Sequence, residues 1–291
     1  MVKINNLTMN ISYFNGTFLP KENIRISPDD RGFLFGDGIY EVMKWYGSFF
    51  FDPESHLARL KRSLSEVRIN WPEADTFPLF ARELININKL EDQQALIYLQ
   101  VTRGAAPRNH SFPDPEVQPT TYAFVRAIPR PESEPGPGVS VILRKDIRWS
   151  RCDIKSVSLL ANTLSFQEAH ERGMKECIFV RDGVITEGSR SNIFLVADGT
   201  LFTHPESGYI LSGVTRKNII RFAKESGIPV KEEPFQEKDL GKIQEAFITN
   251  TSAEVTPVTF FDTLQVGNGM PGAVTLQIHK KFQAEIMAMM G

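Results

Sequence analysis

The chain has 291 residues, of which 41% are apolar and 23% charged, a composition typical of a soluble globular protein with one large or two ordinary domains. Its 33 basic and 35 acidic residues give a formal net charge of −2, so no basic excess favours nucleic acid as a partner. Only two cysteines occur, which argues against a disulfide scaffold, and no apolar run reaches the ~18 residues of a membrane span. We therefore expect a cytoplasmic protein that contacts neither nucleic acid nor membrane.

The first half of the chain mixes strands with amphipathic helices. Apolar residues at period two predict strands at Ile11 to Phe14 and around Gly38 to Trp45. Leucines at helical spacing predict a helix from about Glu54 to Val67, and a second helix follows near Phe77 to Asn88. Two extended runs come next, ALIYLQVTR and TTYAFVRAI. This half is therefore expected to be an α+β domain.

A segment rich in proline and glycine, Ile128 to Gly138 or IPRPESEPGPG, follows these strands. Its four prolines cannot continue a helix or a central strand. We interpret residues 128–138 as an interdomain linker. Residues 1–127 then form a small N-terminal α+β domain, and residues 139–291 form a larger C-terminal domain.

The second half contains strands, hairpins and a few helices. VSVILRKDI is typical of a buried strand, and the segment after it predicts a helix with Leu160, Leu164 and Ala169 facing inward. Asp-Gly pairs at 182–183 and 198–199 lie between apolar runs and predict two hairpins. Further helices are expected at about 215–226 and 272–290. The pattern indicates a sheet or barrel.

Several common motifs are absent from the sequence. It contains no P-loop, no H-E-x-x-H and no G-x-S-x-G. The five histidines are scattered, so the sequence itself predicts no metal site.

Lys155 lies between a predicted strand and a predicted helix, in the stretch DIRWSRCDIKSVSLL. Apolar neighbours can partly desolvate a lysine, which lowers its pKa and makes the neutral amine available for a Schiff base. A solvated lysine in a connecting loop is the common alternative. The local sequence does not decide between the two.

Three further segments carry groups suited to a charged heteroaromatic ligand. Glu187, at the end of a strand in VITEGSRSNIF, is able to pair with a protonated ring nitrogen, or is simply a solvated hairpin glutamate. A helix beginning near Thr215 offers free N–H groups to a phosphate, although a threonine cap explains it equally well. Thr251 could add a hydroxyl, and Arg59 either reaches the same anion or is solvated.

Taken together, these segments resemble the class IV pyridoxal-phosphate aminotransferases. The resemblance is found in DRGFLFGDGIYEV, IYLQVTRGAAPRNHSFP, DIRWSRCDIKS, and TEGSRSN followed by ILSGVTR, in the order of the family and over nearly the whole chain. It implies a fold type IV enzyme: a small N-terminal α/β sandwich-like domain and a larger C-terminal pseudo-barrel domain that carries the Schiff-base lysine.

The resemblance also implies roles for residues around the cofactor, pyridoxal 5′-phosphate. Lys155 would be the catalytic residue that binds the cofactor and moves a proton, and Glu187 would pair with the pyridine nitrogen. The remaining cofactor-binding residues implied by the family are Arg59, Leu211, Val214, Thr215 and Thr251.

Within the family, the match points to the enzymes that act on D-amino acids. It implies that Tyr40, Arg108 and His110 bind the substrate carboxylate, with the Arg108/His110 loop supplied by the partner in a homodimer. The implied reaction converts D-alanine and 2-oxoglutarate to pyruvate and D-glutamate. Leu160, five residues after Lys155, occupies a position where the branched-chain enzymes usually have tyrosine.

Alternatives remain within and outside the family. A branched-chain L-amino acid aminotransferase and an aminodeoxychorismate lyase share the same lysine and glutamate, and a catalytically silent ligand-binding relative would keep the same spacing. Arg190, in the Ser189-Arg190-Ser191 turn, either directs side-chain preference toward acidic substrates or points to solvent.

Overall fold

The computed structural model describes residues 10–129 and 135–290, so residues 130–134 of the predicted linker lie outside the described residues. The chain divides into two compact units. The first takes its described residues from Met1–Arg130 and Lys155–Ser158, and the second from Pro131–Ile154 and Leu159–Gly291.

The segment that carries Lys155 belongs to the first unit, whereas the predicted boundaries put it in the C-terminal domain. The reason is backbone pairing with a strand of the first unit. The Tyr40 N–H donates to the Lys155 carbonyl at 2.9 Å, and the Val157 N–H donates to the Gly38 carbonyl at 3.1 Å. Two main-chain hydrogen bonds therefore attach this short segment to the unit that precedes it in the chain.

The first unit is an antiparallel sheet of five strands in the order β2-β1-β5-β4-β3, with three α-helices. Its strands are β1 (Ile11–Phe14), β2 (Thr17–Pro20), β3 (Gly38–Tyr46), β4 (Gln94–Thr102) and β5 (Thr120–Ala127). Its helices are α1 (Arg31–Phe35), α2 (Pro53–Glu66) and α3 (Phe77–Ile87), with short 3-10 turns at Lys21–Asn23 and Pro72–Thr76.

Local sequence explains the main elements of this unit. Alternate residues of β4, such as Ile97 and Leu99, are completely buried, as its period-two pattern requires. The helix α2 begins where expected, because Asp52 caps it by accepting a hydrogen bond from the Ser55 N–H at 3.2 Å and a proline follows at its first position. The predicted elements of the first half are therefore confirmed.

The second unit is a ten-stranded sheet in the order β11-β10-β9-β13-β14-β6-β7-β8-β12, with β15 paired to β14. Its strands are β6 (Val139–Lys145), β7 (Glu176–Arg181), β8 (Val184–Gly188), β9 (Asn192–Ala197), β10 (Thr200–Thr203), β11 (Val230–Glu232), β12 (Phe235–Gln236), β13 (Glu245–Asn250), β14 (Glu254–Phe261) and β15 (Leu264–Gln265). Its helices are α4 (Leu160–Glu171), α5 (Val214–Glu225) and α6 (Ala273–Met290), with a 3-10 turn at Glu237–Lys242.

This sheet curls into a barrel-like form. Four strands lie between β8 and β9 in the sheet order, yet only residues 189–191 connect the two strands in the chain. Since such a short connection cannot cross a flat sheet, the sheet must curve back on itself. Side chains from β6, β7, β8, β9, β13 and β14 accordingly share one buried apolar cluster. The predicted two-domain α+β fold with a pseudo-barrel is confirmed.

The predicted hairpin turns at 182–183 and 198–199 are present, and each Asp-Gly pair has the positive φ angles that such turns require. The expected orientation of α4 was wrong for its leucines. Leu160 is 73% exposed and Leu164 is 58% exposed, whereas Ala169 is completely buried. The helix packs on β6 and β7 through small residues, so the leucines lie on its other face. No helix within residues 10–129 and 135–290 is both long and apolar enough to cross a bilayer.

Gly104 follows β4 in a conformation that only glycine tolerates well. Its φ is +98°, and a Cβ there would lie 2.1 Å from the Gln118 carbonyl oxygen. Gly16 is a matched control, because its φ is +86° and a Cβ there would meet nothing within 4 Å. We expect Gly104→Ala to lower the free energy of unfolding by about 2 kcal/mol more than Gly16→Ala. Urea denaturation measures both losses, and equal losses would show that backbone overlap is unimportant there.

Candidate active site

The Lys155 amine lies beside an aromatic ring in the first unit. Its Nζ is 4.2 Å from the centroid of the Tyr40 ring, and its backbone N–H donates to Ser63 Oγ at 3.3 Å. The side chain is half-buried and forms no ion pair with the described residues. An amine in contact with an aromatic ring and free of a carboxylate partner in this part of the chain is suited to act as a nucleophile and as a base.

Arg59 is held by a carboxylate that sequence reasoning missed. Its Nη2 donates to Glu41 Oε1 at 2.6 Å and its Nε to Oε2 at 3.0 Å, while His56 Nδ1 lies 3.0 Å from the same Oε1. Burial would raise the pKa of the fully buried Glu41, but the charge of Arg59 and the hydrogen bond of His56 hold it well below its usual range. Glu41 therefore remains ionised and fixes the guanidinium. The His-x-x-Arg spacing on α2 was the available signal.

Arg108 and His110 are both exposed and lie against one aromatic ring. The Arg108 guanidinium is 5.1 Å from the Phe35 centroid, and the His110 ring is 5.5 Å from it. Among the described residues, neither side chain forms a hydrogen bond or ring contact with Tyr40, whose ring contacts are with Tyr98 and Lys155. The structure thus brings two of the three predicted carboxylate ligands, Arg108 and His110, against the Phe35 ring.

Glu187 is the buried carboxylate of the second unit. Its Oε1 accepts from Arg148 Nη1 at 2.5 Å, and its Oε2 accepts from Asn192 Nδ2 and from the Leu211 N–H, each at 3.0 Å. Burial raises the pKa of Glu187 to about 7, although Arg148 pulls it in the opposite direction. The carboxylate therefore changes its charge near neutral pH.

Arg148 is a second residue that the sequence analysis did not single out. The Arg148 Nε and Nη2 donate to the Asp146 carboxylate, each at 3.0 Å, and the Arg148 guanidinium lies 4.3 Å from the centroid of the Phe179 ring. Arg181 also donates to Asp146, at 3.2 Å. This arrangement directs the remaining nitrogen of Arg148 at Glu187. The Asp-x-Arg spacing in DIR was a weak signal for it.

The start of α5 has no side-chain cap among the residues that the structure describes. Gly213 precedes the helix, and a Cβ there would lie 2.0 Å from Asn192 Oδ1, so a larger residue would displace the Asn192 amide that binds Glu187. Val214 and Thr215 are buried in the first turn, and the Thr215 hydroxyl has no partner among the described residues. Uncapped N–H groups at a helix start are suited to an anion such as phosphate.

The other predicted residues lie nearby in the chain or in a turn of the second unit. The Leu211 carbonyl accepts from Asn192 Nδ2 at 2.9 Å, which ties this segment to the residue that also binds Glu187. Thr251 lies half-buried in the turn between β13 and β14. Arg190 is 55% exposed, and its guanidinium lies 4.1 Å from the Phe166 centroid.

Comparison with known proteins identifies the family. A model of the class IV aminotransferases matches residues 38–261, and the chain belongs to this family. D-alanine aminotransferase from Staphylococcus haemolyticus is 41% identical to this chain, and the alignment covers 94% of this chain and 97% of that enzyme. The enzyme of that name from Bacillus licheniformis is 38% identical, covering 94% and 96%.

Solved structures agree with the fold. The branched-chain amino acid aminotransferase from Escherichia coli superposes with a TM-score of 0.86 at 27% identity, covering 95% of this chain and 94% of that chain. The branched-chain enzyme from Thermoproteus uzoniensis, solved with norvaline, has a TM-score of 0.83 at 24% identity, covering 96% and 95%. The predicted aminotransferase class is thereby confirmed.

Enzymes of this family use pyridoxal 5′-phosphate and act on amino acids and 2-oxo acids, as predicted. The groups described above fit that cofactor. Lys155 offers an amine without an ion-pair partner in the described chain, Glu187 a buried carboxylate that titrates near neutral pH, and the start of α5 uncapped N–H groups. No cluster of metal-ligating side chains occurs among the residues that the structure describes.

Proposed function

We propose that the chain transfers the amino group of D-alanine, or of a similar D-amino acid, to 2-oxoglutarate, producing pyruvate and D-glutamate. The observation that carries this proposal is the 41% identity, over 94% of the chain, to a D-alanine aminotransferase. Leu160 also favours a D-amino acid substrate, since branched-chain enzymes usually have tyrosine at that position. The reaction belongs to D-amino acid metabolism, and we place it in the cytoplasm, consistent with two free cysteines.

In this proposal Lys155 is the catalytic residue. Bound pyridoxal phosphate supplies a ring that withdraws electrons from the substrate Cα. Lys155 would hold the cofactor covalently through its amine, and its free Nζ would move the proton that leaves the substrate Cα. Glu187, when ionised, would pair with the protonated pyridine nitrogen and favour its protonated form.

The remaining cofactor contacts orient the ring and hold the phosphate. Leu211 packs against the ring, and its backbone N–H orients Glu187. Glu41 presets the direction of the Arg59 guanidinium, so little side-chain entropy is lost when that group binds an anion. The residues proposed for the phosphate are Arg59, Val214, Thr215 and Thr251.

The substrate carboxylate is bound by Tyr40, Arg108 and His110 in this proposal. The last two are exposed and, within the described residues of their own chain, form no hydrogen bond or ring contact with Tyr40, which supports a homodimer in which the partner supplies this loop. A carboxylate fixed on one side leaves one enantiomer able to direct its Cα–H toward Lys155. We assign that orientation to the D isomer.

Arg108→Ala is expected to raise the KM for the amino acid while cofactor retention stays unchanged. Truncating one partner of a charge-assisted contact to a carboxylate costs about 2–5 kcal/mol, so a rise of roughly 30-fold or more is expected. Steady-state kinetics and the absorbance of bound cofactor measure the two effects. An unaltered KM would place the carboxylate site elsewhere.

The proposed substrate is tested by assaying D-alanine and L-leucine side by side with 2-oxoglutarate. We expect turnover of D-alanine at a kcat/KM at least tenfold above that of L-leucine. Turnover of L-leucine alone would favour a branched-chain aminotransferase, the activity named for the solved structures above. Conversion of aminodeoxychorismate without transamination would instead favour a lyase of this family.

A further inference from the structure

The motif DRGFLFGDG contains a buried arginine that holds the loop of Arg108 and His110. Arg31, at the start of α1, is 3% exposed, and its Nη1 donates to the carbonyls of Asn109 at 2.6 Å and Ser111 at 3.3 Å. These two carbonyls flank His110 in the chain. One guanidinium nitrogen therefore fixes the backbone on both sides of a proposed substrate ligand.

The same helix supplies the ring on which both proposed ligands lie. Phe35 is one turn after Arg31, so the two side chains share a face of α1, and the Arg31 guanidinium is 4.7 Å from the Phe35 centroid. Arg108 and His110 approach this ring at 5.1 Å and 5.5 Å. Both exposed side chains thus lie against the same ring.

Asp37 holds Arg31 in this orientation. Its Oδ2 accepts from Arg31 Nε at 2.8 Å and from Arg103 Nε at 2.8 Å, while its Oδ1 accepts from Arg103 Nη2 at 2.9 Å. Although burial opposes it, the two arginines hold the pKa of Asp37 below its usual value. Asp37 therefore stays ionised at neutral pH.

Arg103 extends the network to the far side of the loop. Its terminal nitrogens also donate to the carbonyls of Val67 and Arg68, each at 2.7 Å. Its guanidinium lies 3.5 Å from the centroid of Phe112, the residue after Ser111. The loop is therefore held through its backbone by Arg31 and through the Phe112 side chain by Arg103.

We propose that Arg31 is a positioning residue for the substrate-carboxylate site, acting through the Asn109 and Ser111 carbonyls on Arg108 and His110. This inference rests on the proposed function of that pair. A loop held in advance loses little entropy when the substrate binds, so loss of the anchor raises KM and leaves kcat nearly unchanged. Lysine cannot replace the arginine, since its single ammonium cannot reach Asp37 and two carbonyls in the same geometry.

The test is a double-mutant cycle on KM with the holoenzyme. Arg31→Lys is expected to raise the KM for D-alanine at least tenfold with kcat changed less than about twofold. In an Arg108→Ala/His110→Ala background the same substitution should add less than twofold, because both side chains that it positions are gone. Arg82→Lys is the control, since Arg82 is an exposed arginine of α3 whose guanidinium lies 5.9 Å from the Trp45 ring. It should leave KM unchanged.

A second variant guards against misfolding of Arg31→Lys. Phe35→Leu leaves the hydrogen-bond partners of Arg31 in place and removes the ring that lies against Arg31, Arg108 and His110, so the same selective rise in KM and the same lack of additivity are expected. If Arg31→Lys does not raise KM, or if the effects of the two variants multiply with that of Arg108→Ala/His110→Ala, the positioning role is wrong.

The outcomes also separate this inference from the proposed function. If Arg108→Ala raises KM and Arg31→Lys does not, the inference fails and the carboxylate site stands. If Arg108→Ala itself leaves KM unchanged, the proposed carboxylate site and the positioning role of Arg31 both fail, while the proposed transamination stands. Should only L-leucine be turned over, the proposed substrate is wrong, and the same cycle run with L-leucine still decides the role of Arg31, because both substrates carry the carboxylate.

Discussion

Lys155→Ala is expected to abolish transamination, with kcat lowered about 10⁴-fold or more. The substitution removes both the covalent attachment of the cofactor and the base that takes the Cα proton, and each contribution is large. The amine has no carboxylate partner among the described residues, so its loss breaks no ion pair there and the fold should persist. Assays with D-alanine and 2-oxoglutarate measure the loss, and circular dichroism checks the fold.

Lys145→Ala provides the control for this prediction. Lys145 is exposed at the end of β6, so its removal tests the loss of a lysine that the proposed function does not use. The variant should keep full activity and full borohydride labelling. In the wild type, borohydride reduction followed by peptide mapping should place the cofactor on Lys155. A label on another side chain, or an active Lys155→Ala, would contradict the assignment.

Glu187→Gln is expected to retain the cofactor but to lower kcat about 10²–10³-fold. An amide has nearly the shape of the carboxylate but cannot stabilise a positive charge on the ring nitrogen, so the ring loses electron-withdrawing power. The amide oxygen can still accept from Asn192 and the Leu211 N–H, while the amide NH2 then faces Arg148 Nη1 in place of an acceptor. Cofactor content by absorbance and kcat with D-alanine test the two halves of the prediction. Normal turnover would refute the electronic role of Glu187.

The raised pKa of Glu187 gives this prediction a pH dependence. Burial raises the pKa to about 7 against the pull of Arg148, so the carboxylate is neutral below that pH and charged above it. Arg148→Met removes the opposing charge. We therefore expect the acid limb in the pH dependence of the cofactor absorbance to move to higher pH. In Glu187→Gln that limb should disappear. A limb that stays in place in both variants would assign the titration to another group.

The sign of the effect on stability follows from the same shift. Because the folded-state pKa lies above the usual value of 4.5, the Glu187 contribution to stability is complete below about pH 4.5 and is lost as the pH rises through about 7. Relative to Glu187→Gln, the wild-type apoprotein should therefore become less stable over this range. Glu245→Gln is the control. Glu245 is a buried carboxylate that accepts hydrogen bonds at the start of α6, so the variant should be less stable but should keep the acid limb of the cofactor absorbance unchanged.

Some features of this protein depend only on residues close together in the chain, and sequence patterns predicted them. The start of α2 needs Asp52 and the proline after it, and the two Asp-Gly turns need only their own backbone angles. The long motifs in family order likewise indicated the aminotransferase class and the lysine, because such motifs keep their chemistry and spacing together.

Only the tertiary structure decided which distant groups meet. Glu41 reaches Arg59 because α2 packs on β3, and Arg148 reaches Glu187 although 39 positions separate them in the chain. Leu160 is exposed because α4 packs through small residues. Contacts of this kind depend on strand register and on the curl of the larger sheet, which many weak interactions set jointly, and periodicity in the sequence carries no record of them.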